Sequence, residues 1–494
     1  MSPSPSSRPA GDPVPPAVQE TVRELVTLSP VLTELGERFT SAGFQAHLVG
    51  GSVRDALLSA RHGGPSVPGD LDVTTDARPE QVLELLRGWA GSTWNTGIAF
   101  GTVGAEVRGV RLEITTFRAD RYDRESRNPE VAWGSSLTDD LLRRDFTVNA
   151  LAVSLGPDRT VTDPFGGLGD LLAGRLRTPG SAVDSFADDP LRMLRAVRFV
   201  AQLGLTPVDE VVEAMTAMAE QLQRITPERV QAELSRTLLQ DSPRPALELF
   251  VETGLADWVL PELPALRMEI DEHHQHKDVY AHSLTVLEKA IDLEKADPAH
   301  ESPDLVLRLA ALLHDIGKPA TRRHEPRGRV SFHHHEVKGA KLAKKRLTAL
   351  RYPKDVVEAV ARLTFLHLRF HGYGRGEWTD SAVRRYVTDA GDLLPRLHKL
   401  VRSDSTTRNK RRAAALAATY DSLEQRITEL SELENLAKVR PDLDGDAIME
   451  LLGLQPGPDV GAAWRYLKDL RLERGPLPRD EAEAELRKWW SSRS

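Results

Sequence analysis

Between about Val31 and Ala173 the spacing of apolar residues switches repeatedly between two periods. "FQAHLV" alternates apolar and polar positions, the period of a strand with one buried face, and "GGSVRDALL" turns at once into helical spacing. "DLDVTT" is a second strand and "EQVLELLRGW" a second helix. "GTVGAEV" and "VRLEITTF", separated by Arg108 and Gly109, form a predicted β-hairpin. After Asp184 strand signals nearly vanish, and apolar residues recur at helical spacing to the C-terminus. The pattern predicts an α+β head, a mixed sheet with helices, followed by an all-α remainder. The helical part divides near Pro261 to Pro264, where a His-rich segment begins, and again near Thr406, before the basic "TTRNKRR". The expected segments are a Pro/Ser-rich disordered tail over 1–25, a head over 30–175, a helical neck over 176–262, a body over 263–410 and a helical tail over 411–494.

A length of 494 residues exceeds what one hydrophobic core organises, in keeping with this division. A net charge of −8 means that a nucleic-acid partner would be held by local basic patches rather than by bulk attraction. The chain has no cysteine, which excludes disulfides, thiolate nucleophiles and Cys-ligated zinc. The first sixteen residues, "MSPSPSSRPAGDPVPP", lack the apolar core of a signal peptide, and no apolar run approaches the roughly 20 residues of a membrane span. The expectation is a cytoplasmic protein without a membrane partner.

Candidate chemistry begins at "DLDVTT". Side chains of a strand alternate faces, so Asp70 and Asp72 point the same way. Left alone they repel, and a cation between them relieves the repulsion. Upstream, "LVGGSVRD" runs a strand through Gly50 and Gly51 into a helix, a turn whose backbone can approach a phosphate, with Arg54 one turn in. A glycine turn able to hold a triphosphate, followed by two same-face carboxylates, is the layout of metal-assisted nucleotidyl transfer, in which two Mg2+ ions about 4 Å apart bridge the triphosphate and the attacking hydroxyl. In "VRLEITTF", Glu113 lies on the face opposite Val110, Leu112 and Ile114, where it either completes the metal site or pairs with an arginine. In "LLRRDFTVNALAV", Arg143 and Arg144 are either a solvated basic turn or a clamp on the incoming triphosphate, with Asp145 and Asn149 within reach of the sugar.

"LVGGSVRD", "DLDVTT", "RRDFTVNA", "DPFGG" (163–167), "DDPLRMLRAVRF" (188–199) and "ITPERVQAEL" (225–234) occur in this order. The series resembles that of the bacterial and eukaryotic CCA-adding tRNA nucleotidyltransferases of the DNA polymerase β superfamily. The resemblance covers about residues 30 to 250 and implies template-independent addition of C, C and A to the tRNA 3′ end from CTP and ATP, with Mg2+ in the head. A bacterial poly(A) polymerase shares the head motifs and is the alternative. A hydrolase whose head serves only to bind tRNA is another.

The segment "DDPLRMLRAVRF" also reads on its own residues: Asp189 fits a helix N-cap and Pro190 the first helical position. Asp189, Arg192, Arg195 and Arg198 recur every three residues, so neighbours lie near one another on the helix. Cytosine and adenine share an exocyclic amine donor beside a bare ring-nitrogen acceptor, which a carboxylate and a guanidinium complement. Uracil and guanine present the reverse and would leave both protein groups unpaired. The resemblance assigns base reading to Asp189 and Arg192 and nucleotide holding to Arg195 and Arg198; Gly51, Arg54 and Arg144 are the nucleotide-binding candidates of the glycine turn and the basic turn. Asp188 stands where the family often has Glu, and "SARHGGPSVPG" lengthens the loop before Asp70. The family's mobile segment that assists the switch to ATP falls around Arg118 to Ser136 and is present at full length, which favours CCA addition over a CC-only enzyme.

A second candidate site lies in the body. "RLAALLHDIGKPATR" places His314 and Asp315 at the end of an apolar helix. With His282 and Asp404 they form the ligand series of the HD phosphohydrolase family, whose nitrogen and oxygen donors suit a divalent transition metal. His335 and His367 are either surface histidines or ligands of a second metal.

Overall fold

The computed structural model describes residues 29–60, 70–95, 101–117, 134, 136–268, 278–298, 303–326, 329–372, 378–406, 409–434 and 440–493, with positions 16, 20, 23, 24, 26 and 27. Most of the Pro/Ser-rich tail, the lengthened loop before Asp70 and nearly all of the segment Arg118 to Ser136 lie outside the described residues. The chain forms two compact units, one of residues 1–229 and 245–258, the other of residues 230–244 and 259–494. The sequence pattern placed a boundary near Pro261; in the structure the return of 245–258 to the first unit makes the division discontinuous.

The first unit is built on a seven-stranded sheet: β1 (Ala46–Val49), β2 (Asp70–Thr75), β3 (Ser92–Trp94), β4 (Thr102–Val107), β5 (Val110–Thr116), β6 (Ala152–Ser154) and β7 (Val161–Thr162). The order is β3-β4-β5-β2-β1-β6-β7. Within this sheet, among the described residues, only β2 and β5 pair in parallel, and the β4–β5 hairpin turns through Arg108 and Gly109. The sheet is mixed, as the patterning implied.

One face is apolar. Leu48, Leu71, Val73, Leu112 and Ile114 pack with Leu32, Leu35 and Phe39 of the helix Pro30–Ser41, Val53 and Ala56 of Gly51–Ala60, and Val82 and Leu86 of Pro79–Leu86 in one buried cluster. Burial of these side chains, worth about 1.5–3 kcal/mol each, fixes which face each strand turns inward. Asp70, Asp72 and Glu113 therefore emerge together on the uncovered face. Beyond the sheet, helices Ala182–Asp188, Leu191–Leu203 and Asp209–Met218 complete the first unit.

Among the described residues, the second unit contains strands only as a short hairpin, Arg323–Glu325 with Arg329–Ser331. Its centre is helical: Val279–Lys295, Leu305–Leu313, Lys354–Leu366 and Leu394–Asp404 bury Leu284, Leu287, Leu309, Leu312, Leu363, Leu397 and Leu400. A separate cluster around Ile448, Leu467 and Leu486 forms the core of the C-terminal helices. No described helix is long and apolar enough to cross a membrane.

A buried ion pair lies within this apolar centre. Arg308 is fully buried and donates to both oxygens of the equally buried Glu294, from Nε at 3.1 Å and from Nη2 at 3.1 Å. Its Nη1 donates to the carbonyls of Leu238 and Gln240, each at 2.8 Å, and so satisfies the open end of the helix Pro227–Leu238. Removing one partner of such a pair strands the other charge. Arg308→Ala is expected to lower the stability of the second unit by about 3–5 kcal/mol, read as a shift of its denaturant midpoint, with the first unit's transition unmoved.

Candidate functional site

The parallel register of β2 on β5 pairs Asp72 with Glu113 and Asp70 with Arg111. Residues opposite one another on neighbouring strands share a face, so two carboxylates separated along β2 meet a third across the ladder. Among the described residues Glu113 has no arginine partner. Of the two roles open to it in the sequence, its position beside Asp72 favours the metal site. Desolvation in the concavity and the neighbouring charge of Asp70 raise Asp72 above the usual carboxylate range, against the opposing pull of Arg144 and Arg195. Desolvation followed by the charges of Asp72 and Asp70 raises Glu113 as well. Three oxygen-donor groups that disfavour one another's ionisation fit a hard divalent cation.

The turn after β1 brings the helix Gly51–Ala60 up to these carboxylates. Gly50 has φ +72°, and a Cβ there would lie 2.8 Å from Nη1 of Arg144 and 3.8 Å from Oδ2 of Asp72. The left-handed φ favours glycine here, and a side chain would also have to displace the end of Arg144. Ser52, which sequence reasoning passed over, is buried. Its hydroxyl donates to the Asp70 carbonyl at 3.3 Å and accepts from the Asp72 amide at 3.4 Å. It thereby ties the helix start to the backbone between the two aspartates.

Arg54, read as a charge for the phosphates, is buried and already engaged: Nη1 donates to Asn149 at 2.5 Å and Nε to Asp55 at 2.8 Å. Its guanidinium lies 5.3 Å from the ring centre of Phe199, a ring that Arg195 and Arg198 also approach, at 5.8 and 4.3 Å. Three guanidinium groups around one aromatic ring create a local positive potential suited to a triphosphate.

Asp145 anchors this group. Its oxygens accept from the Phe146 amide, the Asn149 side chain and Arg195, the last at 2.7 Å from Nε. Burial would raise its pKa, but Arg195, Asn149 and Arg192 outweigh burial and bring it down to about 2. The carboxylate is therefore ionised throughout the physiological range. The stretch that carries it becomes a short 3-10 turn, Thr147–Asn149, before β6.

Asp189, one residue before the Pro190 from which the helix Leu191–Leu203 starts, caps it by accepting from the Leu191 amide at 3.1 Å, and it also ends the preceding helix. Its other oxygen accepts from Nη2 of Arg229 at 2.8 Å. Arg229 belongs to "ITPERVQAEL"; the motif was visible, the partnership was not. Arg192 donates to the Ser185 hydroxyl at 2.8 Å and to the Arg143 carbonyl at 2.5 Å. Neither base-reading candidate bonds through its side chain to the other; each is held by separate neighbours. Arg198 donates to Gln202 and is buried.

In the second unit the six residues singled out from the sequence come together. His282, His314 and Asp404 form one group of donor atoms and Asp315, His335 and His367 a second, each within 4.8 Å. Oδ2 of Asp315 lies 3.2 Å from Nε2 of His314 and 3.7 Å from that of His282; Oδ1 lies 3.3 Å from His335 and 3.9 Å from His367. His335 and His367 are buried, not surface residues. In His314, His335 and His367, Nδ1 faces a backbone carbonyl, of Ala311, Phe332 and Thr364 respectively, which sets the tautomer. Their buried Nε2 atoms make no hydrogen bond.

Such orphaned acceptors aimed at one carboxylate fit divalent transition-metal ions, with Asp315 placed to serve both groups. Burial and the neighbouring His314 hold His367 down at about 3, so it is neutral and ready to ligate. Burial alone would lower His314, but Asp315 overrides it and pushes His314 upward. Lys318, not singled out from the sequence although it lies in "HDIGK", donates to Asp315 at 2.6 Å.

Gly317 makes the second ligand group possible. A Cβ at this position would fall 2.1 Å from the His335 carbonyl oxygen and 2.6 Å from the Gly339 amide nitrogen. Both contacts are backbone and cannot swing aside. Gly317→Ala is therefore expected to displace His335 and reduce transition-metal stoichiometry in the second unit from two ions per chain to one. Metal analysis after equilibrium dialysis measures this, and two ions retained would contradict it.

Residues 46–177 match the family described as "Poly A polymerase head domain", residues 204–266 "Probable RNA and SrmB- binding site of polymerase A", and residues 279–409 "HD domain". The chain is 34% identical over 457 residues to the CC-adding tRNA nucleotidyltransferase of Thermus thermophilus, covering 90% of this chain and 94% of that protein. It is 34% identical to the A-adding tRNA nucleotidyltransferase of Deinococcus radiodurans, over 72% of this chain and 80% of the other. Identity to the CCA-adding enzyme of Levilactobacillus brevis is 38% over 258 residues, and the matched stretch spans 62% of that protein and 51% of this chain. For the CCA-adding enzyme of Lactobacillus johnsonii the span is 55% of its length. Among solved structures, the Bacillus stearothermophilus CCA-adding enzyme in complex with CTP superposes with a TM-score of 0.63 at 25% identity, over 97% of this chain and 99% of that one.

Proposed function

The chain belongs to the tRNA nucleotidyltransferase family, whose CC-adding and A-adding members it matches along most of their length, and we propose that it adds C, C and A to the 3′ end of tRNA from CTP and ATP without a nucleic-acid template. The observation that carries this reading is the convergence on one open sheet face of Asp70, Asp72 and Glu113, beside the glycine turn and the arginines around Phe199.

Asp70, Asp72 and Glu113 would hold Mg2+, which when bound lowers the barrier to deprotonating the tRNA 3′ hydroxyl and neutralises the departing pyrophosphate. The 3′ oxygen forms a bond to the α-phosphorus as the α–β phosphoanhydride bond breaks; the hydroxyl proton passes to solvent and pyrophosphate leaves. The chain's own part is placement. The Gly50–Gly51 turn lets the triphosphate approach the backbone, and Arg144 and Arg195 present positive charge to it. Asp189 accepts from the exocyclic amine of cytosine or adenine while Arg192 donates to the adjacent ring nitrogen.

Arg229 and the Ser185 hydroxyl keep these two side chains in place without a base present, so little ordering remains to be done when one binds. The second unit is proposed to hydrolyse phosphate esters with a divalent transition metal held by His282, His314, Asp315 and Asp404, and a second by His335 and His367 with Asp315 between. Both activities fit a cytoplasmic enzyme.

Similarity to a CC-adding enzyme along 90% of the chain favours a second reading, in which addition stops after two cytidines. Incubating the protein with tRNA lacking its terminal CCA and each labelled nucleotide in turn separates the two: the full reading expects CTP and then ATP to be incorporated. Asp189→Ala and Arg192→Ala are each expected to cut efficiency with CTP and ATP by roughly 10- to 1,000-fold, since the bound base would lose one of its two hydrogen-bonding partners, and to raise the relative use of UTP or GTP. Unchanged discrimination in both variants would remove base reading from these residues.

A further inference from the structure

Arg144 and Asp72 border the same point. The space that a Cβ on Gly50 would fill has Nη1 of Arg144 at 2.8 Å and Oδ2 of Asp72 at 3.8 Å. The two groups border one small space without forming an ion pair, and a guanidinium able to reach a metal-binding carboxylate is a hazard, because a planar fork and a carboxylate form a favourable ion pair that cancels the charge a cation needs. The fold supplies a competitor. Asp140, on the helix Leu137–Leu142, is almost wholly buried. Its Oδ2 accepts from Nη2 of Arg144 at 3.5 Å and from the Thr74 hydroxyl at 3.2 Å, and its Oδ1 accepts from Nε of Arg143 at 3.3 Å.

Thr74 stands on β2 two residues beyond Asp72 and on the same face, so Asp140 is fastened to the strand that carries the metal carboxylates. The Thr74 hydroxyl shares its one proton between Asp140 and the Thr115 carbonyl on β5, the strand of Glu113, each at 3.2 Å. The carboxylate that restrains the arginine thus rides on the same piece of sheet as the carboxylates it protects. Nε of Arg144 is buried without a hydrogen-bond partner, so its Nη2 contact to Asp140 is a principal tether.

We propose that Asp140 is a positioning residue that holds Arg144 off Asp72, keeping the aspartate open to a divalent cation and the guanidinium turned toward the glycine turn, where a triphosphate would lie. The proposal rests on the reading of Asp72 as a metal ligand. It assigns a purpose to a buried acid that neither binds the nucleotide nor touches the reacting atoms.

The test is Mn2+ binding to the full-length protein without nucleotide, followed by the electron paramagnetic resonance signal of free Mn2+; sites lost in Asp72→Asn are head sites. Asp140→Asn is expected to weaken those sites by roughly five-fold, the strength of a modest ion pair. Adding Arg144→Gln to Asp140→Asn should restore binding to the level of Arg144→Gln alone, as coupled residues do in a double-mutant cycle. A merely structural acid would give a loss that Arg144→Gln does not relieve. Thr74→Val, which cuts the tether to β2 but leaves the acid, should give a smaller weakening that also vanishes with Arg144→Gln. Wild-type Mn2+ affinity in both Asp140→Asn and Thr74→Val, or a loss that Arg144→Gln leaves in place, overturns the proposal. Equal Mn2+ binding by the unsubstituted protein and Asp72→Asn would instead overturn the metal-ligand reading beneath it.

Discussion

The parallel pairing of β2 with β5 sets Asp72 directly across from Glu113, with Asp70 two residues away on the same face, and no hydrogen bond among the described residues neutralises the three. Like charges at ladder spacing destabilise a sheet. The arrangement persists because the opposite faces of the same strands are apolar and locked: Leu71, Val73, Leu112 and Ile114 can be buried only if the acids point outward. The folding energy of the head is thus coupled to an electrostatic strain that a cation bound there would relieve. Gly50, which leaves space for Arg144 and Asp72 to approach, and Ser52, which pins the helix start to β2, both serve that one pair of strands.

Around this centre the positive groups are restrained before any ligand arrives. Arg54 is committed to Asn149 and Asp55, Arg195 to Asp145, and Arg192 to Ser185 and the Arg143 carbonyl. Asp145, strongly ionised inside the protein, is where several of these restraints converge. A site assembled this way offers charge in fixed directions, which stabilises a transferring phosphoryl group better than mobile side chains would. The second unit solves its problem in the same manner with different atoms. Backbone carbonyls orient His314, His335 and His367 so that their free nitrogens face Asp315.

Much of this was legible in the sequence because it depends on periods and local spacing. The two-residue alternation of "DLDVTT" and "VRLEITTF" placed Asp70, Asp72 and Glu113 on outward faces, and His282, His314, Asp315 and Asp404, which the structure brings together, were singled out by their resemblance to the HD series. What periodicity could not supply was register. Glu113 remained divided between metal and arginine because alternation gives its face but not its neighbour: a two-residue slip of β5 on β2 keeps the face and sets Glu113 opposite Asp70 or Thr74 instead of Asp72.

The partners of long side chains were equally hidden. Arg54 reads as a phosphate ligand until Asn149, 95 residues on, is seen to accept its hydrogen bond. Arg229 and Asp189 are 40 residues apart. His335 and His367 carried no burial signal, since their environment is built by helices that meet only in three dimensions. Asp140 did carry a local signal, an acid three and four residues before Arg143 and Arg144, but that spacing is common on solvated helices and distinguishes nothing until the residue is found buried.

The central claim is that the same-face carboxylates of β2 and β5 deliver a metal ion to the α-phosphate of the incoming nucleotide. The most direct measurement is incorporation of the first cytidine into tRNA lacking CCA, using the two α-phosphorothioate diastereomers of CTP with Mg2+ and then with Mn2+. Sulfur is a poor ligand for the hard Mg2+ and a better one for Mn2+. The account predicts that one diastereomer is used poorly with Mg2+ and recovers by roughly ten-fold or more with Mn2+, relative to CTP. Equal use of both diastereomers with Mg2+, and no gain from Mn2+, would contradict it.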